Sequence, residues 1–380
     1  MPPFVIDLRQ TDDSRDVVHR AVQTLAEGGL VVFPTETVYG IGASARCAVG
    51  VEKLFEIKGR SHEAPFALAI KSAEEALDYV PLLGRMAERL ARRCWPGPIT
   101  LVVDGGFVDP AGAGYGLINQ LPESVRRAVA PGGTIGLRVP AHEVILDVLR
   151  MLAGPIALTS ANHSGEPASV TVEQVTESLG EEVDLILDDG RSRYGQPSTV
   201  VRATGNSYSC IREGVVGQSA LDRLSSMIVL LVCTGNTCRS PMAEVIMRQL
   251  VAKKLGYPEP ELDQHGMIVL SAGIAAVQGC GPSHEAVVVM KEKGLDLEKH
   301  ESQPLTEKLV RHADMILTMT EGHRHAILRR WPECSTRLHT LRADGKDIQD
   351  PIGGSTNVYR RCAEEVNAAL QQRVDELEIP

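Results

Sequence analysis

The chain has 380 residues, more than one ordinary hydrophobic core serves, so two domains are expected. Its 43% hydrophobic and 23% charged content is that of a globular protein with a sizeable core, and no run of about 18 apolar residues is present to span a membrane. The net charge of −10 argues against broad, non-specific nucleic-acid binding, and eight cysteines without a CxxC pair argue against a disulfide scaffold or a structural zinc site.

In chain order, the start MPPFVIDLRQTDDSRD is acidic where a signal peptide needs a basic start and an apolar stretch, which predicts a cytoplasmic protein. Periodicity then predicts a helix over 14–27 running into a strand over 30–33. Further strands are expected over 66–70, 99–103, 134–138, 156–158, 185–187 and 198–201, interrupted by helices over 51–57, 84–93 and 144–152. Together they predict a twisted, mixed α/β sheet. The short stretch 214–226 follows a strand-like end and precedes a fresh apolar strand, so it is the expected boundary between domains over 1–222 and 227–380. Beyond it, strands over 227–232, 267–270, 315–319 and 337–341 alternate with helices over 242–255, 284–293, 307–312 and 356–377. That pattern predicts a parallel sheet covered by helices.

The segment VLLVCTGNTCRSPMAE places a tight loop between an apolar strand and a helix start. Such a loop points several backbone N–H groups at one spot, which suits a phosphate. The same groups, with the helix dipole, favour a thiolate at Cys233. Arg239 can grip two phosphoryl oxygens with its planar fork, Gly235 lets the backbone approach an anion, and Ser240 can donate to a departing sulfur. Thr234, Asn236, Thr237 and Cys238 complete the loop, and Pro241 needs no hydrogen bond in a first helical turn.

This constellation resembles the low-molecular-weight protein phosphatases over about residues 227–377. The resemblance implies a doubly wound fold, a phosphocysteine intermediate and no cofactor. It also implies that Asp350, in Asp350-Pro351, is the acid that protonates the leaving group and then activates water. Asn236 is expected to brace the loop with Ser271 as its partner. Tyrosine-specific members carry aromatic residues after Asp-Pro and an aliphatic residue two places before the arginine. Here Ile352, Gly353 and Thr237 stand there, which resembles the protein arginine phosphatases. A small hydroxyl suits a guanidinium better than a phenyl ring, and Asp350 can pair with one, so phosphoarginine on a protein is the expected substrate, with phosphotyrosine as the alternative. Cys238 beside the nucleophile admits either a protective reversible disulfide with Cys233 or a spectator thiol. The redox cysteines of thioredoxin-linked arsenate reductases have no counterpart in ADMILTMTEGHRHAI.

The first half carries seven short motifs in order: FPTETVYGIG from Phe33, Lys58-Gly-Arg60, CWPGPIT from Cys94, GLRVP from Gly136, TSANHSG from Thr159, PSTV from Pro197 and IREG from Ile211. Together they resemble the YrdC-type threonylcarbamoyl-AMP synthases over roughly residues 10–217, whose Lys-x-Arg and Ser-x-Asn signature is met by Lys58, Arg60, Ser160 and Asn162. The implied reaction joins L-threonine, bicarbonate and ATP, the ATP accompanied by Mg²⁺, and releases pyrophosphate. Its product feeds the t6A modification of a tRNA adenosine, so a tRNA or the transferase of that modification is the implied partner. Lys58, Arg60, Arg138 and Arg212 are expected to neutralise converging negative charge. Thr35, Arg138, Ser160 and Ser198 are implied to face threonine, and Arg60, Asn162 and Arg212 the nucleotide; no resident metal is implied. Ala64 and Ala69 stand where the family's long branch has Asn and His, which places the chain nearer the short branch. The alternative for this half is a non-catalytic RNA- or nucleotide-binding module, and aromatic content of 4% weakens base stacking as its basis.

Overall fold

Strand residues in the first half of the chain alternate between bulky apolar and short or polar types, and the two kinds part to opposite faces of a sheet. The computed structural model describes residues 3–11, 13–59, 65–105 and 116–377, and the chain divides into two units, Met1–Leu224 and Ser225–Pro380. The first unit holds strands β1 (Phe4–Asp7), β2 (Val31–Phe33), β3 (Gly40–Ser44), β4 (Ala67–Ala69), β5 (Ile99–Asp104), β6 (Thr134–Arg138), β7 (Ile156–Ser160), β8 (Leu185–Asp188), β9 (Thr199–Thr204) and β10 (Ser207–Arg212). They form one ten-stranded sheet in the order β1-β8-β2-β3-β7-β4-β6-β5-β9-β10. Pairing is mixed: β1, β2, β4 and β5 have parallel partners, while β3–β7, β5–β6 and β9–β10 are antiparallel.

Leu68, Leu101, Ile135 and Leu137 enter the main core of this unit and are fully buried. Their strand neighbours Ala67, Thr100, Thr134 and Gly136 make the opposite face, where short side chains leave a hollow. Three strands escaped the sequence pattern: β1, β3 and β10. β3 is hidden inside the glycine-rich motif GIGAS, because its register against β7 leaves no room for side chains at Gly40 and Gly42. A Cβ on Gly42 would lie 2.4 Å from Ile156 Cγ2. The stretch expected to link the domains carries a helix, Gln218–Ser225, whose Leu221 is fully buried in the first unit's core.

The second unit is built on β11 (Met227–Cys233), β12 (Met267–Gly273), β13 (Met315–Thr318) and β14 (Leu338–Thr340), all parallel, in the order β12-β11-β13-β14. Every residue of β11 is buried, as a central parallel strand covered on both faces requires. Val229, Leu231 and Cys233 face one core, shared with helices Arg239–Leu255 and Thr356–Glu376, while Ile228, Leu230 and Val232 face another. The chain runs from β11 to β12 on one side and then crosses to β13 on the other. The carboxyl end of β11 is therefore the switch point where such sheets open a crevice. A helix missed by periodicity, Glu321–Arg330, follows β13; its few buried residues, His323 and Ile327, give no apolar stripe to read.

Two candidate active sites

In the second unit, Cys233 ends β11 and the loop 234–238 leads into helix Arg239–Leu255, which begins earlier than the apolar pattern indicated. Cys233 is 3% exposed. Its sulfur takes the Asn236 N–H at 3.2 Å and lies 2.9 Å from Ser240 Oγ. Asn236 turns the loop at φ 56°, the one described non-glycine residue with positive φ, a conformation asparagine tolerates better than most. Its side chain fixes that turn. Nδ2 donates to Ser240 Oγ at 3.0 Å and to Ser271 Oγ at 2.8 Å, and Oδ1 accepts the Gln303 N–H at 2.9 Å. His300 Nε2 donates to the Asn236 carbonyl at 2.8 Å. Ser271 Oγ donates its own hydrogen bond to Glu244 Oε2 at 2.5 Å, and burial holds that carboxyl's pKa above its ordinary value. Gly273, at the end of β12, permits this approach of strand to loop: a Cβ there would lie 2.5 Å from the Thr234 carbonyl oxygen. At Gly235 a Cβ would meet only Thr237 Oγ1, at 3.6 Å, so the fold itself makes no demand for glycine there.

Arg239 is almost wholly buried. Nη1 donates to the Ile348 carbonyl at 3.2 Å, and Nη2 pairs with the carboxylate of Asp350, whose side chain is 43% exposed. The loop's flanks are held by residues that no motif announced. Thr234 Oγ1 meets His323 Nε2 at 2.9 Å, and Cys238 Sγ lies 3.3 Å from Tyr359 Oη and 3.6 Å from Thr237 Oγ1. Cys233 and Cys238 are both free thiols. His323 is buried, its Nδ1 has no partner, and burial together with the nearby Arg239 charge pushes its pKa down to about 4. Of the residues singled out in this half, Cys233, Asn236, Ser240 and Ser271 share one hydrogen-bonded cluster, and Arg239 and Asp350 form an ion pair. A sulfur receiving donors, opposite a buried fork of cationic donors with a carboxylate at its solvent side, suits nucleophilic displacement on an oxyanion.

In the first unit, the hollow over the sheet is a cavity of about 550 Å³ whose wall includes Thr35, Arg138, Ser160, Ser198 and Arg212. Arg138 is 8% exposed. Its Nη2 donates to Glu36 Oε1 and to Thr37 Oγ1, both at 2.8 Å, while its Nε has no partner. Glu36 and Thr37 belong to the first motif but had not been singled out; Glu36 also accepts the Ala141 N–H at 2.9 Å. Thr35 Oγ1 donates to the Val38 carbonyl at 2.6 Å. Arg212 Nη2 donates to the Ser198 carbonyl at 2.9 Å and lies 3.3 Å from Ser198 Oγ, which is itself 3.0 Å from Thr100 Oγ1.

Lys58 and Asn162 sit behind that wall. Lys58 is 1% exposed, and its ammonium donates to the carbonyls of Ser160, at 2.9 Å, and Asn162, with Asn162 Oδ1 at 3.4 Å. Asn162 Nδ2 donates to the carbonyls of His163 and Glu166, at 2.7 and 2.9 Å. A buried ammonium needs acceptors for its three protons, and the turn after β7 supplies them. In this conformation the Lys58 ammonium meets the carbonyl dipoles of Ser160 and Asn162. Arg60 lies outside the described residues. Among the described residues no group of three or more His, Cys, Asp or Glu could hold a metal ion. No described helix is long and apolar enough to cross a membrane.

The two units match two different families. The Sua5/YciO/YrdC family model, described as "Telomere recombination", matches residues 23–214, and that of the low molecular weight phosphotyrosine protein phosphatases matches residues 228–379. A threonylcarbamoyl-AMP synthase of Pyrococcus abyssi is 38% identical over 182 residues, which are 47% of this chain and 48% of the relative. The chain thus spans about half the length of that relative. The structure of a Pyrococcus abyssi Sua5 variant superposes with a TM-score of 0.51 at 25% identity, covering 71% of this chain and 91% of that one. The YwlE arginine phosphatase of Geobacillus stearothermophilus is 35% identical, with a TM-score of 0.35, covering 40% of this chain and 93% of that one. The chain belongs to the Sua5/YciO/YrdC family through its first unit and to the low molecular weight protein phosphatases through its second.

Proposed function

We propose that the chain is a bifunctional enzyme. Its first unit makes threonylcarbamoyl-AMP from L-threonine, bicarbonate and ATP for the t6A modification of tRNA, and its second removes phosphate from a protein, with phosphoarginine as the preferred substrate. The observation that carries the hydrolytic reading is the convergence of the Asn236 N–H and Ser240 Oγ on the Cys233 sulfur, with Arg239 and Asp350 in one ion pair. In this reading the thiolate attacks phosphorus and the bond to the leaving group breaks. Asp350 supplies the proton that the leaving group needs, while Arg239 holds the equatorial oxygens. Asp350 then takes a proton from the water that attacks the phosphocysteine, and Ser240 donates to the departing sulfur.

Preference for phosphoarginine is supported by the Asp350 carboxylate, which already binds a guanidinium, that of Arg239. A phosphoarginine presents the same planar donor group. Ile352 and Gly353, beside the acid, offer no ring to stack on a phenol. Turnover of phosphoarginine and phosphotyrosine peptides, measured side by side, is expected to favour phosphoarginine by about tenfold or more in kcat/KM. A ratio at or below one would sink the preference.

The synthase reading is supported by the family of the first unit and by the 550 Å³ cavity lined with Thr35, Arg138, Ser198 and Arg212. Arg138 keeps its Nε for a ligand's carboxylate while Glu36 and Thr37 hold the other end of the guanidinium in place. In this role the basic side chains stabilise charge and no covalent nucleophile acts. Mg²⁺ accompanies ATP as part of the substrate. Pyrophosphate release that requires both threonine and bicarbonate is the expected result. Tight, salt-sensitive RNA binding without turnover would overturn this reading in favour of a binding module.

A further inference from the structure

The segment 341–355, between β14 and helix Thr356–Glu376, forms neither helix nor strand, yet it carries Asp350. A general acid needs a fixed place, since an error of about 1 Å in such a group costs about 10²-fold in rate. Ties around Ile348 supply it. The Ile348 N–H donates to the Met319 carbonyl at 2.8 Å, the Ile348 carbonyl accepts Arg239 Nη1 at 3.2 Å, and Asp347 Oδ1 accepts the Glu321 N–H at 2.7 Å. Met319 in turn donates its N–H to the carbonyl of Val232, the neighbour of Cys233, at 3.0 Å. Glu321 opens helix Glu321–Arg330. In its first turn Thr320 Oγ1 accepts the His323 N–H at 3.1 Å, and the His323 ring meets Thr234 Oγ1 at 2.9 Å. One helical turn thus bears on two loops, through His323 on the loop after β11 and through the Glu321 N–H on the segment that holds the acid.

We propose that Asp347 is a positioning residue for Asp350, an inference that rests on the phosphatase reading above. In that reading Arg239 turns to the phosphoryl oxygens, so its ion pair with Asp350 no longer places the acid. The Asp347 carboxylate takes no part in that exchange. It answers an N–H that has no partner within its own helix, and its negative charge suits the positive end of the helix dipole. Asp347 stands three residues before Asp350, so its tie fixes the backbone from which the acid reaches the leaving group. Asp347 is itself exposed and adds little to the core, so its replacement leaves the fold of the second unit in place. Its part in the reaction is played through Asp350.

The test uses the full chain and two variants, Asp347→Ala, which removes the acceptor, and Asp347→Asn, which keeps one. Hydrolysis of phenyl phosphate and of p-nitrophenyl phosphate is compared through kcat/KM, which reports the step that expels the leaving group. Asp347→Ala is expected to lower kcat/KM by about tenfold for phenyl phosphate, whose leaving group needs a proton, and by less than about twofold for p-nitrophenyl phosphate. Asp347→Asn is expected to stay within about threefold of wild type on both. In parallel, amide hydrogen exchange over residues 345–350 reads the tie without turnover, and it is expected to quicken about tenfold in Asp347→Ala only. Equal deficits on the two substrates, or none, overturn the positioning role. A deficit in Asp347→Asn as large as in Asp347→Ala also overturns it, since charge and not the bond would then matter. A wild-type chain that turns over neither substrate overturns the phosphatase reading. Exchange then decides the tie by itself: quickened in Asp347→Ala it stands, unchanged it falls.

Discussion

The carboxylate of Asp350 is bound to the guanidinium of Arg239, so the proposed acid and the proposed phosphate clamp meet in one ion pair. A carboxylate half in solvent and a guanidinium almost fully buried meet at the mouth of the loop. In the proposed reaction the phosphoryl group takes Arg239 over from Asp350, which frees the carboxyl group to hold the proton that the leaving group needs.

Asp350→Asn should therefore lower kcat by about 10²- to 10³-fold. The deficit should be smaller for p-nitrophenyl phosphate, whose leaving group needs little protonation, than for an unactivated substrate. Rate measurements on both substrates check this. An equal deficit would mean that Asp350 only positions Arg239.

Asn236 combines backbone strain with three side-chain hydrogen bonds, and two substitutions separate them. Asn236→Gly keeps the left-handed turn and loses the bonds, while Asn236→Ala loses both. The expected cost is about 1–3 kcal/mol for the buried partners left unpaired and about 1–2 kcal/mol more for alanine. Urea unfolding followed through Trp331, in a Trp95→Phe background, measures both.

His323 sits neutral beside Thr234 because burial and Arg239 hold its pKa at about 4, against 6.5 when exposed. The unfolded chain takes up this proton first as pH falls. Stability from the neutral ring is thus complete above pH 6.5 and is lost progressively as pH drops through 6.5 toward 4. The loss is on the order of 3 kcal/mol. Unfolding curves of wild type and His323→Gln between pH 7 and 4 should converge toward the acid end, and a constant gap would contradict the assignment.

Lys58 serves the turn after β7 from beneath. Lys58→Met should cost about 1–3 kcal/mol of first-unit stability by stranding the Ser160 and Asn162 carbonyls, besides lowering pyrophosphate release. Thermal unfolding of the full chain reads the first effect. Lost synthesis at unchanged stability would instead mean that the ammonium acts directly on the nucleotide.

Thr237 is half-buried in the loop, and only a hydroxyl and a methyl group project from it. Thr237→Ile should shift the kcat/KM ratio of phosphoarginine to phosphotyrosine peptides toward phosphotyrosine by about tenfold. An unchanged ratio would remove Thr237 from the specificity argument.

The second unit was largely legible in its sequence because its chemistry is local. Cys233, Asn236, Arg239 and Ser240 lie within one loop and helix start, and β11 declares itself as an unbroken apolar run. Ser271 and Asp350 were placed by motif, and the structure joins both to that loop. His323, His300, Gln303 and Tyr359 gave no signal, since each is a single polar residue on a separate element whose role depends on which backbone it meets. The first unit was less legible, and β3 shows why. Its glycines read as loop, yet they are there so that β7 can pack against them.

By itself, the order of residues determined where apolar strands lie, where a loop can gather N–H groups around Cys233, and which two families the halves resemble. Tertiary structure alone decided that Lys58 meets the Ser160 and Asn162 carbonyls, that Glu36 holds Arg138 and that Asp350 rests on Arg239. The reason is range. The apolar period of a strand and the hydrogen-bond ladder of a helix are set by residues a few positions away, whereas the partner of a buried charge is set by whichever distant segment folding brings within about 3 Å.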